Sequence, residues 1–207
     1  MKKHKTLLAH YDKDNPKKSQ LLLEHLLNVA NQSKLLGSIV GLDNSCQLIG
    51  LLHDFGKSDY KFQCYIRGEY TGRVDHSSAG GVALQYIGNQ VYEEYKIEEL
   101  LGLEGLKKNI WSLYNEILTY PILAHHGLYD IIDSNLEYRT GKRINSRKMI
   151  KENSISKDLE FLNLLNKEYI RLNNKSVCDL YYEGFKEFIK IYKSLKAITS
   201  KINSASN

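Results

Sequence analysis

Apolar residues recur at helical spacing along almost the whole chain, and that regularity narrows the possible folds more than any other feature. Leu22, Leu23, Leu26, Leu27 and Ala30 fall on one broad face of a segment from about Ser19 to Leu36. The same spacing returns in Leu159, Leu162, Leu165 and Tyr169, and again in Leu180, Tyr181, Phe185, Phe188, Tyr192 and Leu195. Runs of Val, Ile and Thr with period-two alternation are scarce, and the only prolines are Pro16 and Pro121. The pattern predicts an all-α fold, a helical bundle. At 207 residues and 42% hydrophobic, residues 1–207 fit one domain with a sizeable core.

The segments between these anchors read as shorter helices. Gly37 is the expected stop of the first helix, and Asn44 with Gln47 resembles a capping box opening "SCQLIGLLHDF", which Gly56 ends. "SDYKFQCYIRG" reads as a short helix closed by Gly68, and "HSSAGGVALQYIG" starts another after the loop "EYTGRVD". Gly105 to His126 reads as helical with a break or kink near Pro121. Positions 129–155 are polar and poorly periodic, a loop with short helical pieces. Helices over about Ser156 to Asn173 and Ser176 to Ser200 precede a polar tail, "SKINSASN".

Composition excludes several classes. The three cysteines, Cys46, Cys64 and Cys178, form no CxxC pair, so neither a disulfide framework nor a cysteine zinc site is implied. A reducing cytoplasm is the simplest setting. No apolar run reaches roughly the 20 residues of a membrane span. The basic N-terminus lacks the apolar stretch of a secretion signal. A net charge of +5 is compatible with a polyanionic partner.

Five of the seven histidines share a setting. His25 lies in the apolar stripe of the first helix, one turn from Leu21 and Val29. His53 is at helical spacing from Cys46 and Ile49, and Gly50, nearly one turn before it, permits close approach by another element. Asp54 follows directly. His76 opens a helix, and His125 and His126 precede Gly127. One buried histidine alone is readily a hydrogen-bonded core residue; five in apolar or helix-end settings each need a partner. Five imidazoles and one carboxylate exceed what a single tetrahedral ion needs. They suit two ions of higher coordination number about 3.5 to 4 Å apart, with a carboxylate between them. So nitrogen-rich a set favours manganese, iron, cobalt or nickel over magnesium. His4 belongs to a charged terminus, and His10 is placed to pack near the site without ligating.

The ordered set His25, "HDFGK" at 53–57, "DHS" at 75–77 and "AHHGL" at 124–128 resembles the HD phosphohydrolase superfamily. More narrowly, "FQ" at 62–63, "DHSSAGG", the paired histidines and "AH" near the N-terminus resemble the HD nuclease domain of the type I CRISPR effector nuclease-helicase. The likeness runs from about Ala9 to Leu128. It implies an all-helical HD domain with a central metal site, holding two divalent ions and cutting single-stranded DNA in antiviral defence. On this resemblance Asp54 bridges the ions, His25 and His53 serve one, and His76, His125 and His126 serve the other. Lys57 helps to hold or polarise the scissile phosphate. The implied partners are a helicase domain or subunit and a guide-RNA surveillance complex. The family's late aspartate, which completes the first metal site, has no clear match. By helix position it falls near Ala205, Ser206 and Asn207 or beyond, while Asp158 and Asp179 read as first-turn helix residues. No GxxxxGK[ST] loop is present, so the helicase is expected as a separate chain or a separate part of a longer one.

A divalent ion that lowers the pKa of its water supplies the nucleophile that phosphodiester hydrolysis needs near neutral pH. For the strand, "RTGKRINSRKMIK" at 139–151 holds six basic residues and no acid, so Arg139, Lys142, Arg143, Arg147 and Lys148 are candidates to line a backbone path. Tyr60, Tyr65, Tyr70 and Tyr129 fall near the motifs as candidates for base stacking. Two other readings stay open: an HD phosphohydrolase of nucleotides or cyclic dinucleotides, and a catalytically degenerate HD docking domain.

Overall fold

The computed structural model of the chain describes residues 7–127, 140–150 and 155–205. Among these the chain is helical almost throughout, as the apolar spacing predicts. The helices are α1 (Leu22–Ser38), α2 (Asp43–Leu52), α3 (Tyr60–Ile66), α4 (Ser77–Glu94), α5 (Ile97–Leu103), α6 (Asn109–Ala124), α7 (Thr140–Ile150), α8 (Ile155–Asn173) and α9 (Val177–Ala205). Two short strands, β1 (Leu8–His10) and β2 (Gln20–Leu21), pair antiparallel ahead of α1. None of the described helices is long and apolar enough to cross a membrane.

Glycines set how closely the first two helices pack. A Cβ at Gly50 would lie 2.9 Å from Ala30 Cα of α1, so the absence of a side chain lets α1 and α2 touch backbone to backbone, as its spacing predicts. Gly37 does not stop α1, which continues to Ser38. Its added Cβ would meet the Leu42 carbonyl oxygen at 2.6 Å, and the left-handed turn falls to Gly41, at φ +73°. The capping box expected from Asn44 and Gln47 is not formed. Instead Glu187 of α9 accepts from the Asn44 and Ser45 backbone N–H groups at 3.0 and 3.1 Å, bringing a distant carboxylate to the helix N-terminus. Gln47 faces inward and accepts from the Tyr169 hydroxyl at 3.1 Å.

One apolar core runs through α1, α2, α4, α6, α8 and α9, with Leu26, Leu51, Leu84, Tyr114, Phe161 and Phe185 among its members. Trp111 and Phe185 meet edge to face with ring centroids 4.8 Å apart, and Tyr114 and Tyr181 at 5.5 Å. Each such side chain contributes about 1.5 to 3 kcal/mol by leaving water. Pro121 lies inside α6 and does not end it. Residues 140–150 form α7 rather than the expected loop. The segment carries little apolar periodicity because Ile144, packed on Leu123, is its one described core residue and arginines anchor the rest.

Candidate metal centre

Helix ends carry most of the site. His53 caps the C-terminus of α2, Asp54 follows it, His76 precedes α4, and His125 and His126 follow α6. His25 comes from the first turn of α1. Two more glycines bring these ends together. A Cβ at Gly56 would fall 2.0 Å from the His76 carbonyl oxygen, and one at Gly80 would fall 2.2 Å from the Leu52 carbonyl oxygen. The "HDFG" turn and the start of α4 therefore touch through backbone alone. Gln63 holds the N-terminal strand over the same turn. It accepts from the Leu8 N–H at 3.0 Å and donates to the Leu8 and Lys57 carbonyls at 2.8 and 2.7 Å.

All five predicted histidines converge on Asp54, and its two oxygens divide them. Oδ2 lies 3.0 Å from His25 Nε2, 3.1 Å from His53 Nε2 and 2.8 Å from Lys57 Nζ. Oδ1 lies 3.3 Å from His76 Nε2 and 3.3 Å from His125 Nε2. His126 joins this second group through a 2.7 Å contact between its Nε2 and that of His76. Donor atoms of Asp54, His76, His125 and His126 lie within 4.8 Å of one another, as do those of His25, His53 and Asp54. Among the described residues Asp54 is the one carboxylate in either group.

Backbone carbonyls fix the ring orientations. His53 Nδ1 lies 2.8 Å from the Gly50 carbonyl oxygen, and His125 Nδ1 lies 2.8 Å from that of Ile122. A carbonyl only accepts, so each neutral ring carries its proton on Nδ1 and turns a bare Nε2 toward Asp54. Gln20 Oε1, 3.2 Å from His25 Nδ1, favours the same tautomer in His25. Lone pairs thus face a carboxylate, an arrangement that repels unless a cation lies between them. The cost is visible: Asp54 Oδ1 and His125 Nε2 are both buried without a hydrogen-bond partner. This cluster of nitrogen and carboxylate donors could hold a metal ion.

The remaining candidates fall out differently. Lys57 is buried rather than poised at a surface. Its ammonium bonds Asp54 Oδ2, donates to the Ala9 carbonyl at 3.4 Å, and lies 5.7 Å from the Phe62 ring centroid. Those contacts place it against the carboxylate at the centre of the site. His10 stands beside His25, with ring centroids 5.2 Å apart, outside both donor groups. Asp179 does not reach the site; it accepts from the Ser176 N–H and the Tyr95 hydroxyl, both at 2.7 Å. Asp158 pairs with Arg147 at 3.3 Å.

An open cleft of about 1230 Å³ adjoins the centre, lined in part by Lys61, Phe62, Arg73, His76, His126 and Lys142. Lys142 lies on it as an exposed side chain. Arg143 and Arg147 border it too, and their guanidiniums are engaged by protein partners. Arg143 Nη2 donates to Asp75 Oδ1 at 2.9 Å and to Ser77 Oγ at 2.6 Å, and Nη1 donates to the Leu123 carbonyl at 3.3 Å. Arg147 is buried and donates to the Asp75 carbonyl at 3.5 Å. Arg139, Tyr129 and the Lys148 side chain lie outside the described residues. Sequence reasoning missed the Asp75–Arg143 clamp, although an acid directly before His76 and a basic run with no acid of its own were both in view. No family model, curated protein or solved structure matches the chain.

Proposed function

We propose that the chain is a metal-dependent phosphodiesterase, a nuclease acting on single-stranded DNA. The observation that carries this reading is the buried, unpartnered pair of Asp54 Oδ1 and His125 Nε2, fixed by backbone so that their lone pairs meet. A bound divalent cation would supply Lewis-acid charge to a phosphate and activate a water there. The protein's own part is to aim the nitrogens: His53 and His125 through their backbone carbonyls, His25 through Gln20. His76, His126 and Asp54 complete the donor set. The cleft supports a strand rather than a lone mononucleotide, because it is open, about 1230 Å³, and runs from His76 and His126 past Lys61, Arg73 and Lys142 with the Phe62 ring on its wall. A role in type I CRISPR interference, with a helicase and a guide-RNA surveillance complex as partners, belongs to the same proposal and rests on the motif resemblance.

The test is cleavage of single-stranded oligonucleotides and circular single-stranded DNA by metal-stripped protein reloaded with manganese, cobalt or nickel. The reading expects cleavage that Asp54→Ala and His53→Ala abolish while helical content is unchanged. Hydrolysis confined to mononucleotides or cyclic dinucleotides, or no turnover with any of the three metals, overturns it.

A further inference from the structure

The two oxygens of Asp54 have unequal neighbours, and the inequality has a chemical consequence. Oδ2 already faces a cation, the Lys57 ammonium at 2.8 Å. That ammonium is buried, packed against Phe62, and also donates to the Ala9 carbonyl at 3.4 Å. Oδ1 faces His76 and His125 and has no hydrogen-bond donor at all. The donor sets are unequal as well: four residues gather on the Oδ1 side and three on the Oδ2 side, with Asp54 common to both. A single carboxylate serves both sides among the described residues, so no second anion offsets Lys57.

Resting on the metal-dependent reading above, we infer that Lys57 makes the centre asymmetric. One divalent ion binds tightly to Asp54, His76, His125 and His126, and the ammonium of Lys57 stands in for the charge of a second ion beside His25 and His53. A dication brought to that second group meets a fixed positive charge on the same carboxylate oxygen, in a setting that screens poorly. Its affinity is lowered by that repulsion, not by a lack of nitrogen donors. Lys57 is therefore a positioning residue that sets how many ions the free protein holds.

The experiment titrates manganese into metal-stripped, full-length protein, counting free ion by electron paramagnetic resonance and total bound ion by elemental analysis. Wild type is expected to bind one equivalent tightly and a second at least about tenfold more weakly. His126→Ala should weaken the first equivalent and His25→Ala should leave it unchanged. Lys57→Met, close in shape and uncharged, should tighten the second equivalent about tenfold or more, and Lys57→Arg should not. Two equivalents of equal affinity in wild type overturn the inference, and that measurement needs no variant to fold. So do a second equivalent indifferent to Lys57→Met in protein of native helicity, and a first equivalent lost in His25→Ala but kept in His126→Ala. No binding by wild type overturns this inference and the metal-dependent reading together. The predicted stoichiometry without DNA cleavage overturns the nuclease alone.

Discussion

Asp54 Oδ1 and His125 Nε2 face each other across 3.3 Å, each buried and neither hydrogen-bonded. The Ile122 carbonyl holds the proton of His125 on the far side of the ring, so the neutral ring cannot relieve the contact by donating. A cation between them removes the repulsion and links metal binding to folding. Manganese at about a hundredfold excess over its Kd should therefore stabilise the protein by about 2.7 kcal/mol. For a chain of this size that raises Tm by about 5 to 10 °C. A chelator should reverse the rise, and His125→Ala should remove most of it. Differential scanning calorimetry with and without metal checks both, and an equal rise in His125→Ala refutes the assignment.

Gly56 offers a separate check on how the site is assembled. Its added Cβ would fall 2.0 Å from the His76 carbonyl oxygen, a backbone atom that cannot swing away. Gly56→Ala should therefore cost about 1 to 3 kcal/mol as overpacking. It should also part His76 from Asp54 and so weaken metal binding. Gly102, near the end of α5, has open space around it, and Gly102→Ala should be neutral or stabilising by up to about 1 kcal/mol. Urea unfolding of both variants, with metal titration of the first, separates a local clash from general intolerance to a methyl group.

Helical spacing made most of the architecture readable, because α1, α2, α4, α6, α8 and α9 each bury one apolar face in a common core. His25, His53, Asp54, His76, His125 and His126 were readable for a related reason. A polar side chain in an apolar or helix-end position needs a partner, and these six gather where a cation could serve as that partner. What the sequence hid depends on pairs far apart in the chain. Glu187 caps α2 across 143 residues, and local pattern offers only the decoy of Asn44 and Gln47. The strand pair β1 and β2 is too short for alternation to register. α7 is polar, and what anchors it is Arg143 reaching Asp75 across 68 residues. Lys57 beside a histidine-aspartate motif reads equally as a surface charge or a phosphate ligand; only the packing of Phe62 and Ala9 turns it onto Asp54.

Asp179 gives a pH dependence that is independent of the metal centre. Partial burial raises its carboxyl, but hydrogen bonds from Tyr95 and Ser176 outweigh that and leave it below its ordinary value. A carboxyl lowered in the folded state stabilises above its unfolded pKa, about 3.9, and loses that contribution as pH falls through the lower folded value. Asp179→Asn should therefore cost about 1 kcal/mol near neutral pH, as loss of the reciprocal bond with Ser176 at the start of α9. The gap between wild type and variant should close as the pH is taken below about 4. Chemical unfolding at neutral and acidic pH measures it; a gap that widens on acidification contradicts the sign.

Arg143 decides whether the basic face of α7 is a strand contact or a brace. Its guanidinium spans Asp75, Ser77 and the Leu123 carbonyl, so it ties α7 to the residue before His76 and to the last turn of α6 before His125. Arg143→Ala should destabilise the protein by about 1 to 3 kcal/mol, as loss of a charge-assisted, multiply bonded group. Arg143→Lys should recover only part of this, because an ammonium cannot reproduce the planar fork. Hydrogen exchange should speed up in α7 and around His76 in both variants. Lys142→Ala, one residue away on the cleft, should instead leave stability within about 0.5 kcal/mol of wild type and weaken binding of a single-stranded oligonucleotide with a shallower salt dependence. If Arg143→Ala weakened oligonucleotide binding without any loss of stability or exchange protection, Arg143 would be a phosphate contact after all and the clamp would carry no structural weight.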